Sequence, residues 1–178
     1  NKLWKLNMSK EEMLKIGLEI GADVPFCIIG GTYLAEGIGE KLKKLNNFIW
    51  DNILIVKPHF SMSTAFVYKK LTPKNYNLYN INNMLKSIEN NDYIEAASFP
   101  ANSLEKVVEK FYPEINTIKN IMYKYNALSS AMTGSGSAVF GFFPDKQSLN
   151  KAFEELILNY PKTFRTKTIN KGIDLIND

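Results

Sequence analysis

Three groups of residues in this 178-residue chain are of types that can do chemistry. The first is Asp23, set between Gly21 and Pro25 in Gly21-Ala22-Asp23-Val24-Pro25-Phe26. A carboxylate held at such a corner can be a general base, a metal ligand or a turn-former, and spacing alone leaves all three open. The second is Gly134-Ser135-Gly136-Ser137, between two apolar runs. Small residues let backbone amides approach phosphate oxygens, and the serines add donors; the same residues also suit a plain hairpin loop. No Gly-Lys-Ser/Thr follows, so this is not a Walker A loop, nor is it a dinucleotide fingerprint. The third is Lys57-Pro58 through Ser63-Thr64 to Tyr68. Tyr68 lies four residues beyond Thr64, on the same helix face. It can stack on a planar base beside the Thr64 hydroxyl, or pack in the core. His59 is the only histidine and has no partner Cys or His nearby in sequence, so neither a metal site nor a Ser/His/Asp triad is expected.

These residues need elements to hold them. Ser9 is a good N-cap, with Glu11 and Glu12 in the first turn of a helix running to Gly21. Gly21 suits a left-handed helix end. Pro25 biases Val24 towards an extended conformation, so residues 26–29 read as a short strand with Cys27 buried and inert. Gly30-Gly31 then turns the chain into a second strand, residues 32–35, to complete a hairpin. Gly37 and Gly39 bracket another tight turn before residues 41–45. Further on, the sequence reads as a strand over 52–58, a helix over 65–71, a loop over 73–83 and a helix over 82–89. Helices near 93–98, 103–111 and 113–125 follow. Strands over 127–132 and 138–143 flank the Gly-Ser turn; a helix to about residue 158 and a strand over 163–169 close the pattern. That is an α+β two-layer sandwich, an antiparallel sheet with helices on one face.

Composition is that of a globular protein, 45% hydrophobic and 22% charged. The formal net charge of +4 is spread along Lys-rich helices, which reads as a solvated basic surface and not as a nucleic-acid binder; an anionic substrate is compatible with it. Cys27 is the only cysteine, which fits a reducing cytoplasm. No apolar run approaches the roughly 20 residues of a membrane span. The first residues do not read as a signal peptide, and the opening reads as the inside of a domain.

Taken together, several stretches resemble the 4-diphosphocytidyl-2-C-methyl-D-erythritol kinases of the GHMP kinase superfamily. They are Gly21-Ala22-Asp23-Val24-Pro25-Phe26, Gly30-Gly31-Thr32, Ala35-Glu36-Gly37-Ile38-Gly39-Glu40, Lys57-Pro58 with Ser63-Thr64-Ala65 and Tyr68, and Met132 through the Gly-Ser turn to Phe140. Their order and spacing match from Trp4 to the last strand. The resemblance implies the end of an N-terminal domain over residues 1–48 and a C-terminal domain over 49–178. It implies transfer of the ATP γ-phosphoryl group to a hydroxyl of a methylerythritol carrying CDP, in non-mevalonate isoprenoid synthesis. ATP with Mg2+ would be the co-substrate, with no tightly bound cofactor or protein-held metal, and no nucleic-acid or membrane partner. Asp23 would be the base, Ile38 would line the cytidine pocket, Thr64 would be a polar contact there, and Tyr68 would be one of two aromatics sandwiching the cytosine. Gly134, Ser135, Gly136 and Ser137 would lie beside the nucleotide phosphates.

The family also has a lysine paired with its aspartate, a Tyr-His pair that reads cytosine, and a Gly/Ser-rich ATP loop opening a helix. No such string occurs before Trp4. The chain is therefore expected to correspond to the C-terminal part of such an enzyme and to be inactive alone. The alternative is a non-catalytic domain that keeps a cytidine- or partner-binding surface. Phe26, Ile28, Ile29 and Leu34 are expected to be partly exposed and to promote self-association.

Overall fold

The computed structural model describes residues 1–72 and 81–173. They fall into two units, Asn1–Phe48 together with the residues from Ile169 onwards, and Ile49–Thr168.

In the first unit, helix α1 (Lys10–Ile20) opens on a reciprocal cap. The Ser9 hydroxyl accepts the Glu12 N–H at 3.2 Å, and the Glu12 carboxylate accepts the Ser9 N–H at 2.7 Å, satisfying two donors that a helix start leaves free. Gly21 ends the helix with φ 176° and ψ 151°, extended and not left-handed as expected. A turn follows, in which the Gly21 carbonyl accepts the Val24 N–H. The chain then enters a second helix, α2 (Val24–Ile29), where a strand was expected. Pro25 stands in its first turn, where a missing N–H costs nothing, and four apolar residues carry no period that separates helix from strand. The helix turns Cys27 outwards, so the only cysteine is exposed and not buried.

Strand β1 (Tyr33–Glu36) therefore has no partner before Gly30. It pairs antiparallel with β2 (Lys41–Lys44), from Tyr33 opposite Lys44 to Glu36 opposite Lys41. After the second unit the chain returns to this one, and the Gly172 N–H bonds to the Ile29 carbonyl at 3.2 Å. A Cβ on Gly30 or on Gly172 would overlap the other's backbone, so two glycines make this crossing possible.

The second unit contains β3 (Ile53–Val56), α3 (Thr64–Lys70), α4 (Ile81–Glu89), α5 (Tyr93–Ala97), α6 (Glu105–Glu109), α7 (Glu114–Lys124), β4 (Ser129–Met132), β5 (Val139–Phe142), α8 (Lys146–Asn159) and β6 (Thr163–Thr166). Residues 73–80 of the expected loop lie outside the described residues. The strands form one antiparallel sheet in the order β4-β5-β3-β6. Helix α7 packs against β4 and β5, and α8 against β3 and β6, the α+β layering that the sequence pattern implies. Leu54 stands opposite Gly141 and Val56 opposite Val139, and all four are buried. Ile115, Ile118 and Met122 of α7 and Leu149, Ala152 and Leu156 of α8 complete the core.

Strand β4 is at one edge of the sheet, and its outward backbone groups are met by side chains. The Tyr123 hydroxyl accepts the Ser130 N–H at 3.0 Å, and the buried Glu105 carboxylate accepts the Met132 N–H at 2.5 Å. Glu105 is in turn paired with Lys119 of α7. An edge closed in this way offers no template to another strand.

Leu54 is wholly buried in the core, whereas Ile94 is 66% exposed. Leu54→Ala is expected to cost about 2–5 kcal/mol through lost burial and the cavity left behind. Ile94→Ala is expected to stay within about 0.5 kcal/mol of the parent. Urea unfolding of the two variants checks both.

Candidate functional site

In the first unit, Asp23 is the N-cap residue of α2, with φ −84° and ψ −14°. Its carbonyl accepts the Cys27 N–H, but its side chain makes no capping hydrogen bond. The carboxylate is exposed and is not spent on closing the helix that carries it. The corner is helix-to-helix, not helix-to-strand as the sequence pattern suggests, so Asp23 rides on the start of a helix.

The Ala35–Glu40 stretch comes against this corner. Gly39 has φ +114°, and a Cβ built on it would stand 3.6 Å from the Ala22 carbonyl oxygen and 3.8 Å from Asp23 Oδ1. The turn between β1 and β2 is braced from within. The Glu40 carboxylate accepts the Ile38 N–H at 2.7 Å and fills the space that a Cβ on Gly37, at φ +70°, would need. Hydrogen bonds from its own backbone N–H, and then from that of Ile38, hold the Glu40 carboxyl below its ordinary value. Ile38, at the tip of this turn, is 77% exposed.

The second unit gathers the other candidates at the ends of β3, β4 and β5. Ser63 caps α3, its hydroxyl accepting the Phe66 N–H. This places Thr64 in the first turn, where its hydroxyl lies 2.9 Å from that of Ser135. Ser137 is fully buried, and its hydroxyl donates to the Phe60 carbonyl at 2.6 Å. The Lys57 ammonium donates to the same carbonyl at 2.7 Å and to the Ser137 hydroxyl. Within the loop, the Gly136 N–H bonds to the Thr133 carbonyl at 3.0 Å, and a Cβ on Gly136 would come 2.7 Å from Met132 Sδ. Tyr68 is 57% exposed and so does not pack in the core.

Two groups therefore form: Asp23 with the Gly37–Gly39 turn in the first unit, and Thr64 with Ser135 and Ser137 in the second. Lys57, within the third group singled out by sequence, and Asn102, which stands out by no spacing rule, also hold the loop. Lys57 ends a strand ahead of a proline, and Asn102 lies in a turn before α6, with its amide on the Met132 and Gly134 carbonyls. Among the described residues no three His, Cys, Asp or Glu side chains are placed to share a metal ion. No helix of these residues is long and apolar enough to cross a membrane.

Residues 77–162 match the family model described as GHMP kinases C terminal. The chain is 48% identical, over 157 residues, to a protein of Caldicellulosiruptor bescii named 4-diphosphocytidyl-2-C-methyl-D-erythritol kinase; the match covers 88% of this chain and 55% of that one. It is 43% identical to a protein of the same name from Thermoanaerobacter pseudethanolicus, over 98% of this chain and 61% of that one. The crystal structure of a 4-(cytidine 5'-diphospho)-2C-methyl-D-erythritol kinase superposes with a TM-score of 0.76 at 24% identity, covering 93% of this chain and 59% of that one, a likeness of fold. The chain thus spans between 55% and 61% of the length of the two named relatives.

The Glu40 brace has a pH signature. A carboxyl with a depressed folded value contributes stability that is fully present above its unfolded value and is lost as the pH falls through the folded one. The advantage of the parent over Glu40→Gln in urea midpoint is therefore expected at neutral pH and should shrink as the pH falls below 4.5. An advantage that stays constant through the acid range would mean that the ionised carboxylate is not what braces the turn.

Proposed function

We propose a function from the premise that the chain belongs to the GHMP kinase superfamily, in its 4-diphosphocytidyl-2-C-methyl-D-erythritol kinase branch. The enzyme it contributes to transfers the γ-phosphoryl group of ATP to a hydroxyl of 4-diphosphocytidyl-2-C-methyl-D-erythritol, a step of non-mevalonate isoprenoid synthesis in the cytoplasm. ATP enters with its Mg2+ as co-substrate. The unit built on Asn1–Phe48 is the end of the N-terminal domain, and the unit Ile49–Thr168 is the body of the C-terminal domain.

The observation that carries this reading is the state of Asp23. Its carboxylate is exposed and unspent on its own helix, and Gly39, without a side chain, lies along its Oδ1 edge. A substrate hydroxyl can come within hydrogen-bond reach of such an oxygen, as a general base requires. As the hydroxyl oxygen bonds to the γ-phosphorus, the bond to the bridging oxygen breaks, ADP leaves, and the hydroxyl proton passes to Asp23. Chemistry of this kind depends on positioning and charge stabilisation. In the first unit, exposed Ile38 is assigned to contact with cytidine; in the second, the Thr64 hydroxyl is a polar contact for the substrate and the exposed Tyr68 ring stacks on cytosine. The loop Gly134–Ser137 attends the nucleotide phosphates.

For these 178 residues alone we expect negligible turnover, because no Gly/Ser-rich phosphate loop opening a helix stands among the described residues. Ile20 at 76% and Phe26 at 40% exposure support self-association of the chain in isolation, which sedimentation would register.

In an enzyme of the relatives' full length, Asp23→Asn is expected to lower kcat by about 10²–10⁴-fold, with the KM values changed by less than about threefold. ADP release coupled to ATP and the CDP substrate reads both. An unchanged kcat would remove Asp23 from the chemistry. A full-length parent that binds the CDP substrate without phosphorylating it, and loses that binding in Tyr68→Ala, would point to the non-catalytic cytidine-binding reading.

A further inference from the structure

The loop Gly134–Ser137 has little of its own to hold it in one conformation. Two of its four residues are glycines, and a Cβ placed on Gly134, at φ +55°, would meet nothing within 4 Å. Its far end is fixed by Ser137 on the Phe60 carbonyl and its middle by Ser135 on Thr64. Its near end is fixed by a side chain from a different part of the unit. Asn102, in the turn before α6, gives one amide proton to the Met132 carbonyl at 2.7 Å and the other to the Gly134 carbonyl at 2.8 Å. Its oxygen accepts the Leu104 N–H at 2.9 Å. With donors on two carbonyls and the acceptor on an N–H, the orientation of the amide is determined and the side chain has one rotamer to occupy. Three residues on, Glu105 takes the Met132 N–H and is anchored to Lys119. Both backbone groups of Met132 are thus claimed by one short turn, which delivers the loop from a fixed starting point.

We propose that Asn102 is a positioning residue for the nucleotide side of the site. It acts through the Gly134 carbonyl and sets the loop conformation that meets the ATP phosphates. This rests on the function proposed above, in which that loop attends the phosphates. Asn102 touches no substrate. It removes the loop's freedom before ATP arrives, so that binding does not have to order it.

The test uses the full-length enzyme and two readouts. Amide hydrogen exchange at residues 134–137 is expected to quicken by about tenfold or more in Asn102→Ala, while exchange in β3 is unchanged. The KM for ATP is expected to rise by about fivefold or more, with the KM for the CDP substrate held within about twofold. Asn102→Asp, which sets an acceptor against two carbonyls at constant size, should exceed Asn102→Ala in both. Asn102→Ser, which keeps one donor, carries the same comparison if Asn102→Ala does not fold, and should fall between parent and Asn102→Asp. Unchanged loop exchange overturns the proposal. So does a lowered melting temperature with both KM values moving together, since that is the mark of a merely structural residue. Faster loop exchange in a variant of a parent that shows no ATP-dependent turnover overturns the nucleotide role and marks the failure as that of the kinase reading.

Discussion

The second unit depends on how closely α7 lies on the sheet. Gly141 is the residue that permits it, because any side chain there would meet Met122 Sδ at 2.7 Å. With that approach made, Met122, Ile115 and Ile118 bury against Leu54, Val56 and Val139, and removing this apolar surface from water is the main driving force available to a unit of this size. The same approach brings Tyr123 and Lys119 of α7 within reach of the edge strand β4, where they help to close it. The seating of α7 on the sheet therefore serves both the core and the closure of the sheet edge. The β4–β5 hairpin is held on one side by packing and on the other by hydrogen bonds, and the loop at its tip inherits that rigidity.

The two candidate groups are built on different physical plans. Around Gly134–Ser137, side chains from distant parts of the sequence tie down a loop that has no bulk of its own; Lys57, Thr64 and Asn102 each reach it from a separate element. The buried Ser137 hydroxyl makes two hydrogen bonds, accepting from the Lys57 ammonium and donating to the Phe60 carbonyl, so its burial is compensated. Around Asp23 the order is local. A short helix carries the carboxylate, and a turn braced by its own Glu40 presents Gly39 beside it. The first plan gives a rigid surface; the second leaves one carboxylate uncovered.

Much of the second unit was legible in the sequence. The strand stopped by Pro58 and the Gly-Ser turn between two apolar runs each announce an element boundary, and these boundaries fall within a few residues of those observed. The first unit was read less well, for a definite reason. Phe26-Cys27-Ile28-Ile29 is too short and too uniformly apolar to show a period, and Pro25 is as much at home in the first turn of a helix as before a strand. Once that segment became α2, the expected hairpin across Gly30-Gly31 and the burial of Cys27 fell with it, and β1 paired forwards with β2. Asp23, Ile38, Thr64 and the Gly-Ser loop could be singled out by type and by family resemblance. Asn102 and Glu105 could not, because their partners lie some thirty positions along the chain and nothing local marks a long-range hydrogen bond.

The crossing of Gly30 and Gly172 has a consequence for the order in which the molecule can be made. Its two strands of backbone are separated in sequence by the entire second unit. On a ribosome, the sheet of Ile49–Thr168 has all its strands before the residues from Ile169 onwards emerge, whereas α1, α2 and the β1–β2 hairpin must wait for that last segment to complete their packing. The helix that carries Asp23 is thus synthesised ahead of the whole second unit and finished only after it, and its completion is gated by a contact with a large loop-closure entropy.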